Sequence, residues 1–380
     1  MSLDELRGKI DQIDAELFHL FEARMDVVSE IAEFKQAHNL LTLDYAREDA
    51  KTQALSEKVR PDIAPYAYTL YDTLFELSRS HQHSVRMQVS DLSCEIQDAI
   101  SGTDKLFPQR ATVACQGVEG AYSQLACSRL FKQPGMMYFK TFENVFSAIE
   151  NGLCEYGVLP LENSTAGSVT KIYDLMQSHD FKIVRSVRLK IDHNLIAPKG
   201  VKMEDVREIF SHEQAISQCT TFLERFPNVK ITPCENTAAA AEAVAKSDRR
   251  DAAAISSHSC IKLYDLNCLA KDIQDRNNNY TRFICISKNL EIYPGADRTS
   301  IMIVLPHRPG SLYKALARFY ALGVNLIKLE SRPIAERDFE FMFYFDLETS
   351  VYSDEFIKLI DDMQEFCEEF KYLGSYSEVI

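Results

Sequence analysis

Residues 3–34 read LDELRGKIDQIDAELFHLFEARMDVVSEIAEF. Apolar side chains fall at Leu3, Leu6, Ile10, Ile13, Leu17 and Leu20, then at Val27, Ile31 and Phe34. Steps of three and four keep them on one face of a helix. No proline precedes Pro61, and Gly8 is the one glycine of the stretch. At 1.5 Å per residue such a helix runs to roughly 50 Å. A segment of this size cannot cover so long a seam with its own residues, so the pattern predicts pairing with a second chain. A second helix is expected from Tyr45 to Val59, stopped by Arg60-Pro61, and a third over 65–85. Residues 1–90 therefore read as an all-α bundle.

Working outward, residues 91–109 hold few large apolar side chains and the run Ser-Gly-Thr-Asp at 101–104, which reads as a linker. From Ala111 short β-rich runs (ATVAC, EYGVLP, KIVRSVRL, NLIAP, AAAIS, RFICIS) alternate with helical ones (FENVFSAIE, AISQCTTFLERF, TAAAAEAVAK). This alternation predicts an α/β domain with a mostly parallel sheet over 110–288. Beyond Tyr293-Pro294-Gly295, residues 297–380 change texture again: TSIMIVLP, SLYKALARFYALG, VNLIKLESRP, EFMFYFDLE, SDEFIKLIDDMQEF and a last strand. That βαββαβ order predicts an α+β unit, an antiparallel sheet with two helices on one face. The chain is multidomain.

Over 380 residues, 56 acidic and 42 basic side chains leave a formal charge of −14. A global basic field is excluded, so no nucleic acid and no anionic membrane is expected as partner. No apolar run approaches the roughly 18 residues of a membrane-spanning helix. The start, MSLDELRGKI, is amphipathic and charged, without the apolar core of a signal peptide. Ten cysteines without a CxxC pair predict reduced thiols and a cytoplasmic protein.

In the helical segment, Arg24 stands at the step between Leu20 and Val27 where the seam calls for a hydrophobe. A guanidinium there must be paired or must meet an anion. Lys35, eleven residues on, shares its face, whereas Arg7 lies about 100° round the helix and joins such a cluster only from a partner chain. Asp44, Arg47 and Glu48 have i, i+3, i+4 spacing, and Ser78 and Gln82 are one turn apart. A snorkelling arginine, a capping Asp44 and a solvated Arg47–Glu48 face are the structural alternatives. The strings LRGKIDQID, ARMDVVSEIAEFK, DYAREDA and ELSRSHQ together resemble the all-helical, dimeric chorismate mutases. That resemblance implies a pocket of Arg7 (from the other protomer), Arg24, Lys35, Asp44, Arg47, Glu48, Ser78 and Gln82, with Lys35 and Gln82 acting on the ether oxygen of chorismate. Ser80 competes with Ser78 for its place, but only Ser78 lies one turn before Gln82.

The α/β segment has no GxGxxG, GxxxxGK or HExxH, and no cofactor or metal is expected. Its informative strings are GVEGAYSQLA at 117–126, VLPLENSTAGSV at 158–169, SHEQAISQC at 211–219, ENTAAA at 235–240 and NYTRF at 279–283. Taken singly, such Ser, Thr and Asn residues are usually helix caps. In this order they resemble prephenate dehydratase, a two-lobed α/β domain. By that resemblance Thr281 carries the catalytic hydroxyl, and Asn163, Ser164, Ser211, Gln218, Thr237 and Arg282 line the substrate cleft. The family's Gly-Pro-x-Gly turn reads Gly117-Val118-Glu119-Gly120, keeping both glycines.

RPGSL at 308–312 and LESRP at 329–333 resemble the ACT domain that follows dehydratases. The resemblance places phenylalanine as effector between two such domains, near Gly310, Ser311, Leu312, Glu330 and Ser331. The expectation is a homo-oligomer, dimer or tetramer, that turns chorismate into prephenate and prephenate into phenylpyruvate, with phenylalanine feedback. The alternatives are an arogenate dehydratase and a non-catalytic amino-acid sensor.

Overall fold

The computed structural model describes residues 2–38, 50–51, 53–54, 57–85, 90–334, 337 and 340–380. Helix α1 (Leu3–Ala37) spans 35 residues, and its start is set by a reciprocal capping box. Ser2 Oγ accepts from the Glu5 N–H at 3.2 Å, and the Glu5 carboxylate accepts from the Ser2 N–H at 2.9 Å. Helix α2 (Ala64–Val85) packs along its C-terminal half over Val28 and Ala32. The seam from Leu3 to Phe34 is left uncovered: Leu6, Ile13 and Leu20 are 46%, 52% and 66% exposed. The helix expected over 45–59 falls largely outside the described residues.

The stretch read as a linker contains helix α3 (Asp91–Gly102), capped by Ser90. Leu92, Ile96, Ala99 and Ile100 form a single narrow stripe that packs into the C-terminal core. Four apolar positions among polar ones hide such a helix from a reading by composition. Ser90 Oγ and Ser93 Oγ both donate to Asp361, at 2.5 and 2.6 Å.

The α/β segment builds two sheets. In chain order its elements are β1 (Thr112–Gln116), α4 (Tyr122–Leu130), β2 (Gly135–Phe139), α5 (Phe142–Glu150), β3 (Tyr156–Asn163), β4 (Gly167–Ser168), α6 (Thr170–Ser178) and β5 (Lys182–Lys190) in the first lobe. The second lobe holds β6 (Asn194–Ala197), β7 (Glu208–Ser211), α7 (Glu213–Ser217), α8 (Thr220–Leu223), β8 (Lys230–Pro233), α9 (Thr237–Lys246), β9 (Ala252–Ser256), α10 (Ser259–Leu263) and β10 (Asn267–Ala270). Strand β11 (Tyr280–Ser287) then returns to the first lobe and inserts between β3 and β5, antiparallel to both. The expected mostly parallel sheet is thus two mixed sheets. Parallel pairing survives at β1–β2, β1–β3, β7–β8 and β7–β9. The chain crosses between lobes at 191–193 and again at 271–279, which brings residues distant in sequence to the junction.

Residues 298–376 form the expected βαββαβ unit: β12 (Arg298–Val304), α11 (Ser311–Ala321), β13 (Asn325–Pro333), β14 (Phe341–Glu348), α12 (Asp354–Phe366) and β15 (Glu369–Tyr376). Its antiparallel sheet runs β13-β14-β12-β15. Alternation along β12 and β14 buries both faces. Ile301, Ile303 and Phe345 meet the two helices, while Met302, Val304 and Tyr344 meet Ile172, Tyr173 and Met176 of the first lobe. Gly374 (φ 137°) is backed so closely against the Ile183 backbone that a Cβ has no room. A final strand, β16 (Glu378–Val379), joins the sheet of the first lobe beside β5. Among the described residues no helix is long and apolar enough to cross a membrane.

Candidate functional site

Thr281 sits directly across from Asn163 in the β3–β11 ladder. Asn163 Nδ2 donates to Thr281 Oγ1 at 2.8 Å and to Asn279 Oδ1 at 2.8 Å. Asn163 Oδ1 accepts from Thr165 Oγ1 at 2.7 Å and from the N–H groups of Thr165 and Ala166 at 3.0 and 2.9 Å. From the second lobe, Gln218 closes the network. Its Nε2 donates to Thr165 Oγ1 at 2.9 Å, and its Oε1 accepts from Asn279 Nδ2 at 2.8 Å. His193, in the first crossing, shares Gln218 Oε1 at 2.9 Å.

This arrangement sets proton positions. Burial holds the His193 imidazole below its usual pKa, outweighing the opposing effect of the Gln218 bond, so the ring is neutral. With Gln218 Oε1 as acceptor, the ring proton resides on Nε2. Thr281 Oγ1 accepts from an amide, which leaves its own O–H free to donate and polarises it as a donor. Thr281 is 9% exposed and lies two hydrogen bonds, through Asn163, behind the Thr165 and Asn279 wall of a cavity of about 460 Å³. Thr165, Gln218, Gln274 and Asn279 line that cavity, and Arg276 adds a cation to it.

The structure thus unites three of the expected residues, Thr281, Asn163 and Gln218. It adds Thr165, Asn279, His193 and Arg276, whose side chains meet only because the chain crosses twice between lobes. Ser164 and Ser211 spend their hydroxyls on backbone. Ser164 Oγ donates to the Asn278 carbonyl at 2.7 Å, and Ser211 Oγ to that of Ile255 at 2.8 Å. Thr237 is the first residue of α9, after the capping Asn236.

Arg282 is a correction. Strand alternation turns it to the face opposite Thr281. Its guanidinium is 4% exposed and ion-paired with Asp346 of β14, with Glu162 at 3.3 Å and with Glu378 at 3.4 Å. It also donates to Tyr376 Oη at 2.8 Å. Burial opposes its charge, but these neighbours hold its pKa above the ordinary arginine value. Arg282 therefore joins the first lobe to the βαββαβ unit and turns away from the Thr281 face.

In the helical segment, Arg24 donates to Ser78 Oγ and to the Leu74 carbonyl (3.3 Å), with its guanidinium over the Phe75 ring. Ser78 and Gln82 are buried, so Ser78 rather than Ser80 meets Arg24. Lys35 is half-buried on α1. Arg7 is exposed, paired only loosely with Asp4 at 3.4 Å. Asp44, Arg47 and Glu48 lie outside the described residues.

The effector strings divide. Gly310, with φ 84°, leads into α11 at Ser311, and Leu312 is half-buried. Ser331 is exposed, whereas Glu330, expected beside it at an effector site, turns inward and accepts from Ser168 Oγ at 2.6 Å. Helix α11 also holds α2: Lys314 reaches Asp72 at 2.8 Å and Glu76 at 3.1 Å, and Arg318 reaches Glu76 at 2.7 Å. Burial raises the Glu76 pKa, but these cations and Arg79 outweigh it and hold the carboxyl below its ordinary value.

Two family models match: prephenate dehydratase over residues 113–291 and chorismate mutase type II over 6–83. A bifunctional chorismate mutase/prephenate dehydratase of Aquifex aeolicus is 32% identical, over 100% of this chain and 98% of that protein. An arogenate dehydratase/prephenate dehydratase of Arabidopsis thaliana is 38% identical, over 70% of this chain and 73% of its own length. Among solved structures, prephenate dehydratase from Arthrobacter aurescens in complex with L-Phe has a TM-score of 0.65 at 28% identity, covering 70% of this chain and 90% of that one.

Proposed function

The chain belongs to the bifunctional chorismate mutase/prephenate dehydratase family of phenylalanine biosynthesis, and from that premise we propose how its residues divide the two reactions. The rearrangement of chorismate needs no base, nucleophile or metal. It needs a dicarboxylate held in its compact conformer and donors aimed at the ether oxygen. Arg24, with Arg7 of a second protomer and Arg47, grips the carboxylates; Lys35 and Gln82 donate to the ether oxygen. The open seam of α1 supports a dimer built on that helix, because an apolar face of this length is otherwise left in water.

In the second reaction the ring carboxylate leaves as CO₂, its bonding pair enters the ring, and the C4 hydroxyl departs as water. Thr281 supplies the proton to that hydroxyl as general acid and is reprotonated from solvent. Asn163 fixes the threonine rotamer; Gln218 and Asn279 hold the lobes closed on the substrate, and Arg276 meets a carboxylate. The observation that carries this reading is the Asn163–Thr281 hydrogen bond at the lobe junction. Prephenate is favoured over arogenate because the fused mutase makes it. The βαββαβ unit is read as an ACT-type regulatory domain taking phenylalanine near Gly310, Ser311, Leu312 and Ser331. The L-Phe complex of the Arthrobacter dehydratase supports that effector. The ten free thiols fit a cytoplasmic setting.

Feeding chorismate to the pure protein without added cofactor tests the whole. Phenylpyruvate is expected. Prephenate accumulating alone would remove the dehydratase assignment, and faster turnover of arogenate than of prephenate would reverse the substrate preference.

A further inference from the structure

On the face of β3 and β11 opposite Thr281, the next cross-strand pair is Glu162 with Arg282. The ladder register shifts immediately beyond it, between Arg282 and Phe283. The bulge interrupts pairing on the β3 side alone, since β5 pairs with Tyr280–Phe283 without a break, so side chains across the β3 edge add to the backbone in orienting Thr281 against Asn163. Those side chains come from the C-terminal unit. Asp346 of β14 pairs with Arg282, and Tyr376 of β15 accepts from it at 2.8 Å. Lys328 of β13 donates to Glu162 at 2.8 Å and to Ser168 Oγ at 2.7 Å. Burial raises the Glu162 pKa, but Lys328 and Arg282 outweigh it and keep the group ionised. Two further contacts align the same face of β13 on the catalytic lobe: Glu330 with Ser168, and Arg332 with Asp174 at 2.7 and 3.0 Å. The other face of β13 is apolar and open, with Ile327 and Leu329 being 37% and 38% exposed.

We propose that Arg282 and Glu162 are positioning residues for Thr281, and that Lys328 carries the placement of strand β13 into that pair. The inference rests on the reading of Thr281 as the general acid. Because 281 and 282 are successive residues of one short tip, rotating the Arg282 guanidinium moves the Thr281 hydroxyl against Asn163. Phenylalanine bound beside Ser331, on the open face of β13, shifts Lys328 and so alters the dehydratase step without touching its cleft.

Dehydratase kinetics on the full-length protein test this, with the mutase activity of the same molecule and its thermal melt as controls for folding. Arg282→Lys keeps the charge and shortens its reach. Its kcat is expected to fall about tenfold with KM for prephenate held within about twofold. A KM rise of that size at unchanged kcat would make Arg282 a substrate ligand, and a lowered melting temperature with both constants unchanged would make it a structural staple; either overturns the proposal. Glu162→Gln should repeat the kcat loss and stands in if Arg282→Lys does not fold. Lys328→Met should weaken phenylalanine inhibition of the dehydratase by about tenfold while phenylalanine still binds by calorimetry. An unaltered response, or a parent protein that phenylalanine does not inhibit, removes the role of β13. Thr281→Val separates the two levels. If it remains active, the reading of Thr281 fails and takes this inference with it. If it is inactive while Arg282→Lys raises only KM, the inference alone fails.

Discussion

Asn163 and Thr281 face each other across antiparallel strands, and the asparagine amide donates to the threonine hydroxyl at 2.8 Å. One bond accounts for two properties a general acid needs. The hydroxyl is held in a single rotamer, and its proton is left for something other than Asn163.

Thr281→Val keeps the shape of a side chain that is 9% exposed and removes only the hydroxyl. Phenylpyruvate formation from prephenate should fall about 100-fold or more, the usual range for a lost general acid. Mutase turnover of the same protein should be unchanged.

Asn163→Leu should cost the dehydratase nearly as much, by a different route. It leaves Thr281 Oγ1, Asn279 Oδ1 and the Thr165 and Ala166 N–H groups without their shared partner. Of these, Thr281 and Asn279 are buried, and a buried group so stranded costs about 1–3 kcal/mol, so a lower urea midpoint should accompany the lost turnover. Thr281→Val should barely move that midpoint.

Lys35→Ala should remove most chorismate mutase activity and leave the dehydratase untouched when prephenate is supplied. The readout is disappearance of chorismate against formation of phenylpyruvate. Near-normal mutase turnover would remove Lys35 from the pocket.

Ile13→Asp places a charge in the middle of a seam that is open in the single chain, Ile13 being 52% exposed. On the proposed dimer, sedimentation should show a smaller species, and mutase activity should fall with the loss of the proposed Arg7 of the second protomer. Dehydratase kcat should survive.

The His193 pKa is depressed by burial, which sets the sign of one pH effect. Below the ordinary value of 6.5 the unfolded chain binds a proton that the folded chain refuses. Stability from this group is therefore complete above pH 6.5 and declines as pH falls toward the folded pKa. Urea midpoints measured between about pH 5 and 7 should rise with pH, and His193→Gln should flatten that part of the profile.

The local elements were legible because each is decided by neighbours in sequence. The three-and-four spacing from Leu3 to Phe34 names a helix and leaves its seam unfilled, and the alternation from Arg298 onward orders βαββαβ. Thr281, Asn163 and Gln218 were reached through motif strings. Helix α3 escaped because four apolar residues in a polar stretch suffice once a core is waiting for them. Thr165 and Asn279 lie inside the strings VLPLENSTAGSV and NYTRF without standing out in them, and His193 carried no signal of its own, since a histidine in a loop is ordinary until another segment meets it.

Sequence alone determined which residues lie on which face of each element, since the 3.6 and 2 periodicities follow from backbone geometry. It separated Thr281 from Arg282 in principle, yet it left open which face looks into the cleft. Only the tertiary structure decided that, by inserting β11 antiparallel between β3 and β5 and laying the C-terminal sheet against its far side. A buried guanidinium must lie where anions are, and here those anions are Asp346, Glu162 and Glu378, brought from three separate strands.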